Sequence, residues 1–170
     1  HKKFRLFYAT DIHGTERTFR KFVNAGKLYE ADALIMGGDI TGKMLIPIIS
    51  EGNGNHRATL QGQTEHLTTH AELESLTQRL GTLGLYHKTM GQDEFQTLSA
   101  DPAAVRSLFN ELARQRLVSW VELAETRLAG TGIKCFVTGG NDDDPEVLQA
   151  IHRDDTQSFF ACEGKVAYID

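Results

Sequence analysis

Three short acidic motifs constrain this chain more than anything else in it: Asp11-Ile12-His13, Gly37-Gly38-Asp39 and Gly139-Gly140-Asn141-Asp142. Each follows directly on an apolar, strand-like run, over residues 4–9, 33–36 and 133–138. Between the first two runs, Phe19, Phe22, Val23, Ala25 and Leu28 fall close to helical spacing, with Glu16 placed for a first helical turn. A β-loop-α-β order with polar residues after each strand predicts an α/β fold built on a parallel sheet. Residues just past the carboxyl ends of neighbouring parallel strands converge on one crevice, so the motifs are expected to meet.

The stretch between the second and third motifs reads as a hairpin and helices. Residues 44–50 and 57–61 flank Gly52-Asn53-Gly54-Asn55, a hairpin turn signal, and a polar helix is predicted over 70–83. Asp101 reads as an N-cap with Pro102 at the first helical position. A single apolar stripe then runs through Val105, Leu108, Phe109, Leu112, Ala113, Leu117, Trp120, Val121, Ala124 and Leu128 to a stop at Gly130. Such a stripe is expected to pack as core. Beyond the third motif, 145–151 predicts a short helix, and 158–162 with 165–169 predict a closing hairpin around Glu163-Gly164.

The residue types delivered to the crevice suit divalent cations. Residues two apart in an extended backbone point to the same side, so Asp11 and His13 are expected to hold one ion while Ile12 points away. Asp39 can lend one oxygen to that ion and the other to a second, and Asn141 offers the second a neutral oxygen. Two metals about 3.5–4 Å apart clamp a phosphoryl group and convert a bridging water to hydroxide. The ions bring four positive charges, of which Asp11 and Asp39 cancel two. The surplus suits an anionic phosphate plus hydroxide, which favours phosphoester over peptide hydrolysis. Manganese, iron, zinc and nickel all accept such a mixed N/O ligand set.

At these positions the chain resembles the calcineurin-like metallophosphoesterase superfamily, whose pattern runs Asp-x-His, Gly-Asp, Gly-Asn-His with an acid, then a lone His and Gly-His-x-His. Asp11/His13 and Gly38/Asp39 match the first two elements, and Gly140-Asn141 matches the third. The hairpin and helices after Asp39 are similar to those of prokaryotic phosphoesterases of unassigned substrate. The resemblance implies the N-terminal part of a β-sandwich flanked by helices over 1–170, with a hairpin plus helical insertion at 43–130. It implies a dinuclear centre that hydrolyses phosphomonoesters or phosphodiesters, the substrate being a small phosphoester or nucleotide. Asp11 and His13 would bind the first metal, Asp39 would bridge, and Asn141 would bind the second metal and steady the phosphate.

Two departures from the pattern bear on catalysis. Asp142 stands where many members have the histidine that protonates the leaving group or steadies the phosphate, and a carboxylate at pH 7 is the wrong protonation state for a donor. No Gly-His-x-His occurs, and His152 is the one histidine after Asn141. The resemblance implies three more histidine ligands, so completion by a C-terminal segment, another polypeptide or a homo-oligomer is expected. A non-catalytic interaction module with the same fold is the competing class.

The rest of the sequence sets bounds. A chain of 170 residues, 40% hydrophobic and 24% charged, is expected to form one soluble domain. Its net charge of −5 argues against a nucleic-acid-coating surface. No run approaches the roughly 18–20 apolar residues of a membrane span. Cys135 and Cys162 form no CxxC pair, Cys135 is expected to be a buried free thiol, and a cytoplasmic setting fits. Two decoys are set aside. Residues 37–43 spell GxxxxGK, but Met44 replaces the magnesium-binding Ser or Thr and a strand is expected to follow. Gly54-Asn55-His56 spells the third family motif but lies in the expected hairpin turn, with Arg57 where an acid belongs.

Overall fold

The computed structural model describes residues 3–169 and is mixed α/β, with two sheets and five helices among them. In chain order, β1 (Leu6–Ala9), α1 (Glu16–Leu28) and β2 (Ala33–Met36) form the first unit. Then come β3 (Leu45–Gly52), β4 (Asn55–Leu60), β5 (Gln63–Leu67), α2 (His70–Thr82), β6 (Tyr86–Gly91), α3 (Gln92–Ser99) and the long α4 (Pro102–Leu128). The chain closes with β7 (Lys134–Val137), α5 (Pro145–Leu148), a 3-10 turn (Gln149–Ile151) and β8 (Phe159–Ala161).

All three apolar runs that precede the acidic motifs are strands of one sheet, ordered β1-β2-β7-β8 and parallel throughout. The sheet is apolar on both faces. One face carries the rows Phe7–Leu34–Cys135–Phe159 and Ala9–Met36–Val137–Ala161, all packed in the main core. On the other lie Tyr8, Ile35, Phe136 and Phe160 in register, with Leu6 and Tyr8 more than half exposed at the edge strand.

Helices α1 and α4 cover the core face. Helix α1 buries Phe19, Phe22 and Val23, and α4 buries Ala113, Leu117, Trp120, Val121, Ala124 and Leu128. The rings of Phe19 and Trp120 stack at 4.3 Å, which locks the two helices together. The expected start of α4 holds: the Asp101 side chain accepts from the amides of Ala103 and Ala104, with Pro102 in the first turn. Its stripe is core, as expected, although Val105 and Leu108 are only half-buried.

The second sheet is ordered β5-β4-β3-β6. Its β3–β4 hairpin forms as predicted, with Asn53 and Gly54 both left-handed at the turn (φ 52° and 81°). Pro47 is tolerated within β3 because pairing with β4 begins only at Ile48, so the strand has one neighbour there. Helix α2, held by a capping box between Thr69 and Glu72, packs Leu76 and Leu80 onto Ile46, Ile48, Ala58 and Leu67.

Three elements lie outside the sequence-based expectation: β5, β6 and α3. One predicted element is absent. Residues 165–169 form no strand, and the chain turns instead through Lys165 N–H donating to the Cys162 carbonyl, so the closing hairpin is corrected to a lone parallel strand β8. Asp170 lies outside the described residues. Both cysteines are free, and Cys135 is buried as expected, with burial pushing its thiol up. Among the described residues no helix is long and apolar enough to cross a membrane.

Candidate metal centre

Because β1, β2 and β7 are parallel neighbours, their carboxyl ends lie along one edge of the sheet, with β2 in the middle. Asp39, which follows β2, therefore sits between the loop of Asp11 and His13 and the loop of Asn141. The first two loops are stitched together beyond the strand ends. Gly37 N–H donates to the Ala9 carbonyl, Asp11 N–H to Gly38, His13 N–H to Asp39 and Gly14 N–H to Ile40, at 2.8–3.0 Å.

One ligand atom from each of Asp11, His13 and Asp39 lies within 4.8 Å of the others. Three ligands on one ion stand roughly 3.0–3.6 Å apart (bonds of about 2.1 Å), so the side chains would have to draw together to close on a cation. The backbone that achieves this is not the extended one expected. Asp11, His13 and Asp39 all adopt left-handed conformations, with φ of 57°, 43° and 50°. Such conformations cost about 1–3 kcal/mol each for residues other than glycine and gather at functional sites. Ile12 does point away, as expected: it is 5% exposed and part of the core, which anchors the turn between the two side chains.

The two Gly-Gly pairs make room for this geometry. A Cβ at Gly38, itself at φ +105°, would stand 2.8 Å from the Gly139 carbonyl, and one at Gly140 would overlap Asp39 Oδ1. Larger residues would push the β2 and β7 loops apart. The His13 ring lacks a usual support: its Nδ1 is buried without a partner, and Nε2 lies 3.9 Å from Asp11 Oδ1. Metal-ligating histidines ordinarily donate their other N–H to a carboxylate or carbonyl, and here loop packing alone orients the ring.

The third motif divides its labour. Asn141 Nδ2 donates to Asp142 Oδ1, and the Asp142 amide donates to Asp39 Oδ1 at 3.1 Å. The Asp142 carboxylate pairs with Lys43 Nζ at 2.6 Å. That hydrogen-bonded ammonium holds the Asp142 carboxyl below the usual carboxylate range, and raises Lys43 in return. Asp143, 6% exposed, accepts from the amides of Ile40, Thr41 and Gly140 and from the Thr41 hydroxyl. It ties the β2 and β7 loops together. Only Asp144 caps α5, through the Glu146 amide, so the three consecutive aspartates have three different functions.

A second support comes from behind. Arg116 of α4 donates to the carbonyls of Gly14 and Leu85, lies 4.7 Å over the Tyr86 ring and sits 3.7 Å from Glu16. The Tyr86 hydroxyl accepts from the Gly42 amide, and burial raises its pKa. Neither residue carries a sequence signal, since both depend on tertiary contacts between distant segments. The decoys resolve as expected: strand β3 rather than a helix follows residues 37–43, and Gly54-Asn55-His56 lies in the β3–β4 hairpin, outside the cluster.

Comparison of the chain with protein-family models, curated proteins and solved structures finds no match.

Proposed function

We propose that this protein binds divalent metal ions through Asp11, His13 and Asp39 and hydrolyses phosphomonoesters or phosphodiesters. The observation that carries the reading is the convergence of these three side chains, from two parallel strand ends, on one point in strained left-handed loops. The motif pattern it shares with calcineurin-like metallophosphoesterases supports the same reading, as does a parallel sheet that accords with one half of their β-sandwich. A bound divalent cation would supply a Lewis acid and an activated water. Asp39, just beyond the middle strand, would bridge two ions, and Asn141 on the neighbouring loop would offer the further oxygen. Manganese, iron, zinc or nickel would serve, and the substrate class is a small phosphoester or nucleotide.

Asp142 fits the role of charge partner better than that of proton donor, because its contact with Lys43 keeps it ionised. The competing reading, a metal-binding module without turnover, gains from one observation: among the described residues, His13 is the one histidine that enters the cluster. Assay of an aryl phosphate with manganese separates the two. Hydrolysis by the wild type that vanishes in Asp39→Ala supports the enzyme; manganese binding without any hydrolysis leaves the module.

A further inference from the structure

The cluster of carboxylates has a cation beside it that the metal reading does not use. Lys43 follows Asp39 by four residues and reaches Asp142 at 2.6 Å. The Asp142 amide in turn holds Asp39 Oδ1, so ammonium and metal ligands are linked through one residue. The segment that carries Lys43 is fixed just before it: the Thr41 amide and hydroxyl bind Asp143, and the Gly42 amide binds the Tyr86 hydroxyl. The side chain beyond that anchor is 55% exposed. A fixed root with an exposed side chain, its ammonium held by the Asp142 carboxylate, describes a lysine that can trade one anion for another.

Charge decides what such a lysine can take. Asp11, Asp39 and Asp142 carry three negative charges and Lys43 one positive, so the metal-free set stands at −2 and repels an anion. One divalent ion brings it to zero and two bring it to +2. Metal entry also competes for Asp39, which weakens one of the two ties between Asp142 and the proposed ligand set, the other being the Asn141 amide on Asp142 Oδ1. Other nearby charges do not offer a substitute. Arg116 is largely buried and spends its donors on the Gly14 and Leu85 carbonyls, while His13 belongs to the ligand set.

We propose that Lys43 is the phosphate-binding residue of this site, exchanging the Asp142 carboxylate for an oxygen of the bound phosphoryl group once metal is present. This rests on the metal reading above. Asp142 then acts as the built-in competitor that occupies Lys43 until a stronger anion arrives. An ordinary lysine titrates at about 10.4, so at pH 7 Lys43 is an ammonium on either partner.

Titration of inorganic phosphate into manganese-loaded protein, followed by calorimetry, tests the exchange without any need for turnover. Manganese affinity is measured on the same samples. Lys43→Met should weaken phosphate about tenfold, the factor one charge-assisted hydrogen bond supplies, with manganese binding unchanged or tighter. Asp142→Asn should strengthen phosphate binding, and that gain should vanish in the double variant, the signature of coupling in a mutant cycle. Equal phosphate affinity in the wild type and Lys43→Met, with manganese bound, overturns the proposal and leaves Lys43 as a partner of Asp142 only. A gain from Asp142→Asn that persists in the double variant reflects general charge removal and also overturns the exchange. Failure of the wild type to bind manganese overturns the metal reading itself, and the lysine's role falls with it.

Discussion

Asp143 accepts three backbone amides and a hydroxyl at a site almost closed to water, and among the described residues no other side chain spans the β2 and β7 loops so fully. Asp143→Ala strands those donors, so a loss of roughly 3 kcal/mol is expected in denaturant unfolding. A cost near zero would mean that water replaces the carboxylate and that the loops hold without it. At the ligands, Asp39→Ala should abolish measurable manganese binding, whereas Asn55→Ala with His56→Ala should leave it intact; the reverse ranking in calorimetry would move the site to the hairpin. Asp142 makes a pH statement. Its folded pKa is lowered, so the pairing with Lys43 is present above the ordinary carboxylate range of about 4 and is lost only as pH falls through the depressed value. Asp142 therefore has no proton to give between pH 5 and 8. Activated aryl phosphates should be cleaved well ahead of alkyl phosphates, and Asp142→His should narrow the gap. Equal kcat/KM for the two classes would count against this. Asp11, His13 and Asp39 lie in sequence-local motifs, so the meeting of these three side chains was legible in advance. Asp143 was not, because a run of three aspartates before Pro145 reads as a helix cap and its other partners lie about 100 residues away.

At the scale of elements, legibility followed burial pattern. Helices α1 and α4 and strands β2 and β7 bury continuous or regularly spaced apolar residues, β1 buries none fully and was marked by its apolar run alone, and each lies within a residue or two of its expected bounds. Helix α3 buries nothing fully, β5 buries only Leu67, and β6 only Tyr86 and Met90. Such elements exist because neighbours pair with them, and a single sequence carries little sign of that. The same dependence makes α4 a support for the site. Trp120→Ala removes the stack on Phe19 from a 5% exposed position and should cost about 3–5 kcal/mol. Arg116→Lys should be nearly as informative: an ammonium cannot span the two carbonyls that the planar guanidinium reaches, so about 1–3 kcal/mol of stability and part of the manganese affinity should go together. Full manganese affinity in a destabilised Arg116→Lys would show that α4 braces the fold but not the ligand loops.

For the whole molecule, the question is how the second sheet bears on a site formed by the first. Three glycines answer it. Gly14 follows His13, Gly42 follows the Asp39 loop, and Gly84 precedes β6 of the other sheet. A Cβ at Gly14 would stand 2.7 Å from Gly42 Cα and 2.8 Å from the Gly84 carbonyl, and one at Gly84 would collide with the His13 carbonyl. The segments touch backbone to backbone, so the turn between α2 and β6 is packed against the loops of His13 and Asp39 rather than hung beside them. Gly84 is also left-handed at φ +78°. Gly84→Ala should therefore suffer twice, from backbone strain and from overlap, for a total of about 3 kcal/mol. Gly62→Ala is the matched control: φ is +79°, but nothing lies within 4 Å of the added carbon, so strain of about 1–2 kcal/mol is the whole cost. Unfolding curves and manganese titrations on both variants test the coupling. Gly84→Ala should weaken manganese binding in the protein that remains folded, because the carbonyl it displaces belongs to His13, and Gly62→Ala should not. If the two variants lose the same stability and keep the same manganese affinity, the sheets are mechanically independent and the second has no hand in shaping the site.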